Sequence, residues 1–400
     1  MTDSVKRDTN IEALKDRVPL SALIGRTHQL TRNGREAVAV CPFHQDRKAS
    51  LTINDDKGFY HCFPCGAHGD HVDWLKEVDG LSFFGARDRL MELAGVQRED
   101  VDKLPPAKPR KTPEELAAER AKKIDAGLKR WRWTRPAAGT QVETYLTQGR
   151  KLNLGLIGLS NRVRFGVVDY WWTPPKGEDR AAPPPPPVCL GRWPAMVIAL
   201  QDAPGLPDFS DLSKPHGLVG VHVTWLADDG SDKRFIPHPL TGEAMNPRKM
   251  FGVSRGAGMR LYPPAETMAL SEGFETGMSA RQAGWRDIAP GKLSVWAAGS
   301  LDNIAGRSVD EGERHPRRPR AKLRGIVPDP DDTGMLLPPE CKRVLLIRDN
   351  DNGDPEMAES IYRLVSIRWR SEGREVWHVT PPLGADLNDV AKWEAERDDG

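Results

Sequence analysis

The stretch Arg343-Val-Leu-Leu-Ile-Arg-Asp-Asn-Asp-Asn-Gly-Asp-Pro-Glu-Met-Ala-Glu359 decides the fold of this chain. Val344 to Ile347 form a short continuous apolar run, as expected of a strand buried on both faces. Asp349 and Asp351 follow at i and i+2, so in extended chain their side chains point to one side. Asn352 and Gly353 turn the chain, Asp354 can N-cap a helix and Pro355 suits its first turn. Met357, Ile361, Leu364 and Val365 give that helix an apolar face, and Gly373 can end it. Two carboxylates therefore stand between a buried strand and a helix, the usual ligand position of an open α/β sheet. Paired acids there attract a hard divalent cation; read by themselves, they are equally a solvated acidic turn.

Working outward, the same pattern recurs. Thr267–Ser271 reads as a strand with Glu272-Gly273 at its end, followed by a helix from Phe274 to about Ala283 that Gly284 closes. Leu293–Ala297 is the next strand, and Val376–Val379 another, followed by Asp386, Asp389 and a last helix. Alternating strands and helices imply a mostly parallel sheet. Its strand ends share one edge, so Glu272, the Asp349/Asp351 pair and Asp386/Asp389 can converge, and their mutual repulsion calls for cations.

At the other end of the chain, Cys41-Pro-Phe-His44 and Cys62-Phe-Pro-Cys65 form two knuckles suited to one tetrahedral Zn²⁺. Three of the five cysteines lie here, which in a reducing compartment points to metal. Strands are expected at Ala49–Ile53 and Phe59–Cys62 around an Asn54–Gly58 turn, giving a zinc ribbon that needs its metal to fold. His61, His68 and His71 are rival ligands; His61 should face away from its neighbour Cys62, and His68 and His71 read as solvated surface. Four protein ligands leave no open position, so this zinc is structural. Phe43, Phe59, Tyr60 and Phe63 with Arg47 and Lys48 are either a stacking surface for single-stranded bases or, for most of the aromatics, the ribbon's core. Two helices follow, Asp70–Asp79 and Ser82–Gly95, the second with Phe83, Ala86, Leu90 and Leu93 inward.

Between these ends the signal is thinner. Lys103–Thr112 reads as a linker, Pro113–Arg132 as a solvated charged helix and Pro183–Pro187 as an exposed spacer. Val219–Leu226 reads as a strand, Asp228-Asp229-Gly230 as a turn and Lys233–Pro237 as a return strand. Arg248 and Lys249 stand before glycine-rich backbone that can hold phosphate, or are ordinary surface charge. A net charge of +1 and a pI near 7.7 confine any nucleic-acid contact to local patches. No apolar run is long enough to span a membrane, the stretch MTDSVKRDTN lacks the apolar core of a signal peptide and no Walker A sequence is visible, so we expect a cytoplasmic protein without a motor of its own.

Glu272-Gly273 after one strand and Asp349-x-Asp351 after a later one resemble the TOPRIM domain of primases, topoisomerases, nucleases and recombination proteins. The CPFH…CFPC ribbon resembles that of DnaG-like primases, and Gly220–Tyr262, with PRKMFG, is similar to the region before TOPRIM in that family. EGFET and PPLGADLND resemble the phage and mobile-element branch most, while residues 100–215 match poorly and Glu275 stands where the cellular family often has Asp. The resemblance implies an α/β multidomain chain: a zinc-ribbon DNA-binding domain at 1–100, a charged linker and helix at 101–135, a mixed α/β basic subdomain at 136–262, and a TOPRIM Rossmann-like parallel sheet at 263–400. It implies a DNA primase that makes short RNA primers from NTPs on single-stranded DNA. Mg²⁺ or Mn²⁺ would sit on catalytic Glu272, Asp349 and Asp351, with Asp386. Lys233, Arg234, Arg248 and Lys249 would line the template or nucleotide path. The Arg307–Pro339 insertion, with Arg314, Arg317, Arg318, Arg320, Lys322 and Arg324, is a template contact or a solvated loop. No helicase segment is visible in the chain, so a helicase is expected in trans. The alternatives are a TOPRIM nuclease and a non-catalytic DNA-binding replication regulator.

Overall fold

The computed structural model describes residues 11–33, 36–46, 49–62, 65–104, 112–174, 185–202, 217–310, 312–350 and 353–398. Two compact units emerge: Met1–Thr112 with Trp171–Val188 and Gly312–Leu323, and the remainder of the chain from Pro113. Arg47, Lys48, Phe63, Asp351 and most of the expected linker lie outside the described residues.

The first unit is built on an antiparallel sheet of five strands in chain order: β1 Leu30–Asn33, β2 Glu36–Ala39, β3 Leu51–Asn54, β4 Phe59–Cys62 and β5 His68–Gly69. Strand alternation decides what is buried. Leu51 and Ile53 point inward from β3, and Tyr60 and Cys62 from β4, leaving Phe59 and His61 on the other face. Phe43 stacks on Tyr60 at 5.8 Å and Trp74 meets Tyr60 edge-on at 5.2 Å, so Phe43 and Tyr60 serve the core. Helix α1 spans Leu20–Ile24 and α2 spans His71–Glu77. The start of α2 is capped reciprocally: Asp70 accepts from the Val72 and Asp73 amides, and Asp73 accepts from the Asp70 amide at 3.0 Å.

Two expectations fail here. His71 is buried rather than solvated, with Nε2 2.6 Å from the Val18 carbonyl oxygen, because α2 turns it under the N-terminal segment. Helix α3, Phe83–Ala94, buries Ala86, Leu90 and Met91, but Phe83 is 44% exposed, since it sits in the first turn ahead of the buried face. The basic insertion contributes an antiparallel hairpin to this unit, β14 Arg314–His315 with β15 Arg318–Lys322, in place of a plain loop.

The second unit holds two sheets. The first is antiparallel, in the order β10 Arg248–Gly252, β9 Leu218–Trp225, β8 Val188–Gln201, β7 Val163–Trp172 and β6 Arg135–Pro136. Both faces of its centre are covered: Met196, Ile198 and Leu200 enter one apolar cluster, while Ala195, Val197 and Ala199 enter the other. Two-sided burial erases the polar alternation that would have marked this half of β8 in sequence. Helix α4, Pro113–Arg132, is not solvated all round. Its Gly127 lies so close to Gly220 of β9 that a Cβ would stand 2.7 Å from the Gly220 Cα, and Trp131 is buried beside it. The expected return strand at Lys233–Pro237 is absent; Lys233 and Pro237 make only isolated bridges, to Leu226 and Ala244.

The second sheet has the order β11 Met259–Arg260, β13 Ser294–Ala297, β12 Thr267–Ser271, β16 Arg343–Ile347 and β17 Glu375–Val379. All neighbours are parallel except β11 with β13. Val344 to Ile347 are buried completely or nearly so. Truncating Leu346 to Ala would cost about 2–5 kcal/mol at such a site. Helix α5, Phe274–Ala283, follows β12 and α6, Leu301–Ala305, follows β13. Helix α7, Pro355–Ser371, follows β16 and α8, Leu387–Asp398, follows β17. Asp354 caps α7 by accepting from the Met357 amide, with Pro355 at its start.

Candidate functional site

In the first unit Cys41, His44, Cys62 and Cys65 bring their ligand atoms within 4.8 Å of one another. Cys41 Sγ is 3.6 Å from Cys65 Sγ, and Cys62 Sγ is 3.8 Å from His44 Nδ1. Zn–S bonds of about 2.3 Å in a tetrahedron need sulfurs about 3.8 Å apart, so the donor set fits Zn²⁺. Its surroundings are also arranged. The Gly66 amide donates to the Cys62 carbonyl at 2.8 Å, Gly66 having a positive φ that permits the knuckle turn. Asp46 accepts from the Cys41 amide and from Ser50, and its Oδ1 stands 3.7 Å from His44 Nε2, so the imidazole nitrogens face the cluster and a carboxylate. Crowding splits the thiols: Cys41, donating to Cys62, is pushed far up, while hydrogen bonds from Cys41 and Cys65 hold Cys62 down at about 2. A dication removes that conflict by taking all three as thiolates. His61 pairs across the sheet with His68 and faces away from Cys62.

In the second unit the carboxyl ends of the parallel strands open onto a cavity of about 650 Å³. Glu272, Glu275, Asp349, Asp386 and Asp389 are on its wall, as are Arg150, His222, Lys233, Arg248, Lys249 and Lys392. Glu272 and Asp349 follow the ends of β12 and β16, Glu275 is in the first turn of α5, and Asp386 and Asp389 stand at the start of α8 after β17. Around Tyr362 the first two meet: its hydroxyl accepts from the Asp349 amide at 3.1 Å, and burial, then the Asp349 and Glu272 charges, push its pKa up. Asp386 and Asp389 exchange amide-to-carboxylate hydrogen bonds at 3.2 and 2.8 Å at the start of α8. Asp386 also lies 3.4 Å from Thr276 Oγ1. The donors are hard oxygens, of the type that suits Mg²⁺ or Mn²⁺. Among the described residues they share a wall without closing to the spacing of the zinc cluster.

The cationic side is ordered by strand alternation. Arg248 and Met250 of β10 point with His222 of β9 toward the cavity. Lys249 touches the cavity wall but sends its ammonium elsewhere: its Nζ lies 3.7 Å from the Tyr170 ring centroid, and burial pushes it down to about 8. Arg234 pairs with Asp228 at 2.7 Å and covers the Trp193 ring, off the cavity wall. Lys233 reaches inward and stands 3.3 Å from Glu275 Oε1. Burial would raise the Glu275 carboxyl, but Lys233 and the Tyr145 hydroxyl, donating at 2.6 Å, hold it at about 2. Arg150 Nε donates to that same hydroxyl at 2.8 Å. His222 is driven to about 4 by burial, with Glu275 opposing and Arg248 and Lys233 reinforcing. Sequence reasoning missed Arg150, His222 and Asn388. His222 had a usable signal, its place on a strand with apolar Val221 and Val223 either side; Arg150 had none.

Residues 6–104 match the family of the CHC2 zinc finger of DnaG-type ribbons, and residues 121–261 match a Domain of unknown function (DUF7146). The N-terminal segment is thus a primase-type zinc ribbon. In particular it is 40% identical over 93 residues to the DNA primase of Lactococcus lactis, covering 23% of this chain and 15% of that protein. The DNA primase of Thermotoga maritima is 40% identical over 86 residues, 22% of this chain and 15% of that protein. The chain's match therefore spans about 15% of the length of these curated relatives. The crystal structure of the Aquifex aeolicus primase (zinc binding and RNA polymerase domains) aligns over 97% of this chain and 84% of that one. Its TM-score is 0.32 at 15% identity, too low to carry weight. Among the described residues no helix is long and apolar enough to cross a membrane.

Proposed function

We propose that this chain is a DNA primase, joining NTPs into short RNA primers on single-stranded DNA by metal-dependent nucleotidyl transfer. One observation carries the reading: carboxylates at the ends of parallel strands face Lys233 and Arg248 across a single cavity, a setting for a polyanion held with cations. The primase-type ribbon supports the same reading from the other unit. On it the second sheet is a TOPRIM domain and residues 136–262 its basic subdomain. Glu272, Asp349 and Asp386 would hold Mg²⁺ or Mn²⁺, with Asp351 from outside the described residues. When bound, such an ion would supply charge neutralisation and a lowered pKa for the attacking hydroxyl. Lys233 and Arg248 neutralise the triphosphate, and Arg150 braces the hydrogen-bond network behind them. The ribbon grips template. Lys249, stacked on Tyr170, and Arg234, held by Asp228, belong to the walls of a template path rather than to the phosphate contacts. A helicase acts in trans, and the setting is cytoplasmic replication of a phage, plasmid or mobile element.

The test is incorporation of labelled NTPs on random-sequence single-stranded DNA with Mg²⁺ or Mn²⁺. Template-dependent RNA products that vanish in Asp349→Asn support the reading. Cleavage of the DNA without NTP incorporation would replace it with a nuclease, and tight DNA binding without either would replace it with a regulator.

A further inference from the structure

The cavity wall carries a carboxylate that the proposed metal chemistry leaves unused. Glu275 lies on α5, one residue past Phe274 and three past Glu272, and it is 7% exposed. Its Oε1 accepts from Tyr145 at 2.6 Å and faces Lys233 Nζ at 3.3 Å. Tyr145 is itself held by Arg150 Nε at 2.8 Å, and Arg150 Nη2 donates to Asp232 at 2.5 Å. An oxygen engaged by a hydroxyl and an ammonium is a poor metal ligand. Resting on the primase reading, we propose that Glu275 is a positioning residue for Lys233: it fixes the ammonium at the cavity and keeps it charged for the triphosphate of the incoming nucleotide.

The need for such a partner follows from what else surrounds Lys233. Arg248 approaches from β10 and Arg150 from the segment before β7, both positive, while His222 on β9 is neutral. Burial and those two guanidinium groups push the Lys233 pKa down; Glu275 is the group that opposes them. Guanidinium groups stay charged at any working pH, but a buried lysine without a counter-charge gives up its proton. Once neutral, Lys233 contributes nothing to a polyanion except a weak hydrogen bond. Tyr145 and Arg150 lie in the segment matched to the domain of unknown function, so that segment would supply both the phosphate-binding cation and the bracing of its carboxylate.

The experiment is calorimetric binding of inorganic triphosphate in EDTA, and of MgATP, between pH 6.5 and 9. Wild type should change affinity by less than about threefold over that range, since Glu275 keeps Lys233 protonated. Glu275→Gln should lose about tenfold or more as pH rises, with no change in the Mg²⁺ concentration needed for half-maximal incorporation. Glu275→Gln combined with Lys233→Arg should restore a flat profile, because arginine needs no partner to stay charged. Melting curves check folding; should Glu275→Gln not fold, Tyr145→Phe, which weakens the Glu275 support, must show the same slope at smaller amplitude. A metal ligand predicts the opposite: binding in EDTA unharmed and a raised Mg²⁺ requirement, which would overturn the proposal while leaving the primase reading intact. A wild type that binds neither triphosphate nor MgATP would remove the primase reading and this proposal with it.

Discussion

The Cys/His cluster and the carboxylate wall differ in how tightly the fold gathers their side chains. The zinc donors lie within 4.8 Å of one another, on strands and knuckles joined by backbone hydrogen bonds. The carboxylate set is spread along a cavity wall. Three sulfurs can crowd together because thiol hydrogen bonds from Cys41 and Cys65 support the one at Cys62, whereas ionised carboxylates repel. A closed donor set of this kind suits a structural ion, while the open wall, with Lys233 and Arg248 opposite its acids, suits the exchangeable cargo of the proposed function.

Removing zinc should have the largest effect. Structural zinc contributes about 10 kcal/mol or more to small modules, so chelation or Cys62→Ser should melt the first unit and abolish the template grip proposed for it. The second unit, with its own cores, should keep its melting transition. Calorimetry showing both transitions lost together would break the division. Next, Asp349→Asn should lower incorporation by at least about a hundredfold, with melting in EDTA unchanged or slightly higher because one repelling charge is gone. A normal rate would remove the cavity from the chemistry. Third, Mg²⁺ at a hundredfold over its Kd should stabilise the second unit of wild type by about 2.7 kcal/mol and Asp349→Asn by less, measured by the shift in urea midpoint; equal shifts would place the ion elsewhere.

Acid sharpens the contrast further. The Glu275 carboxyl is held at about 2, below the roughly 4.3 of an unfolded chain. Its contribution is complete above the unfolded value and is lost as pH falls from there toward 2. Lys233, pushed down by burial, offsets part of it. Urea midpoints of the second unit should hold down to about pH 4.5 and fall below it; Glu275→Gln should flatten that fall. The smallest effect belongs to the first unit: Ser82→Ala removes the α3 cap, whose hydroxyl accepts from the Gly85 amide at 3.1 Å, and should cost about 1 kcal/mol by urea melting.

Sequence disclosed what depends on local chemistry. The Val344–Ile347 run, the Asp354-Pro355 start of α7 and the CPFH…CFPC spacing are readable because strand, cap and knuckle each have residues that few other settings use. The strand ends that carry Glu272, Asp349 and Asp386 were readable from the same rule. What was hidden depended on distant neighbours. The second half of β8 is apolar on both faces, α4 is polar enough to pass for solvated yet closes on Gly220, and Tyr145, held by Arg150, meets Glu275 only through tertiary packing. Phe83 misled because an aromatic in a helix's first turn reads as core by periodicity alone.

The placement of β12 between β13 and β16 has a consequence for the order of folding. Thr267 pairs with Arg343 only after the whole stretch between them has been made, and closing so long a loop is slow. During synthesis the ribbon leaves the ribosome with all four of its ligands long before Asp349 exists. Glu272 then waits at a strand edge with no partner strand on the β16 side. Refolding followed by two probes should show this as separate phases, with zinc uptake early and the acidic cavity last to close.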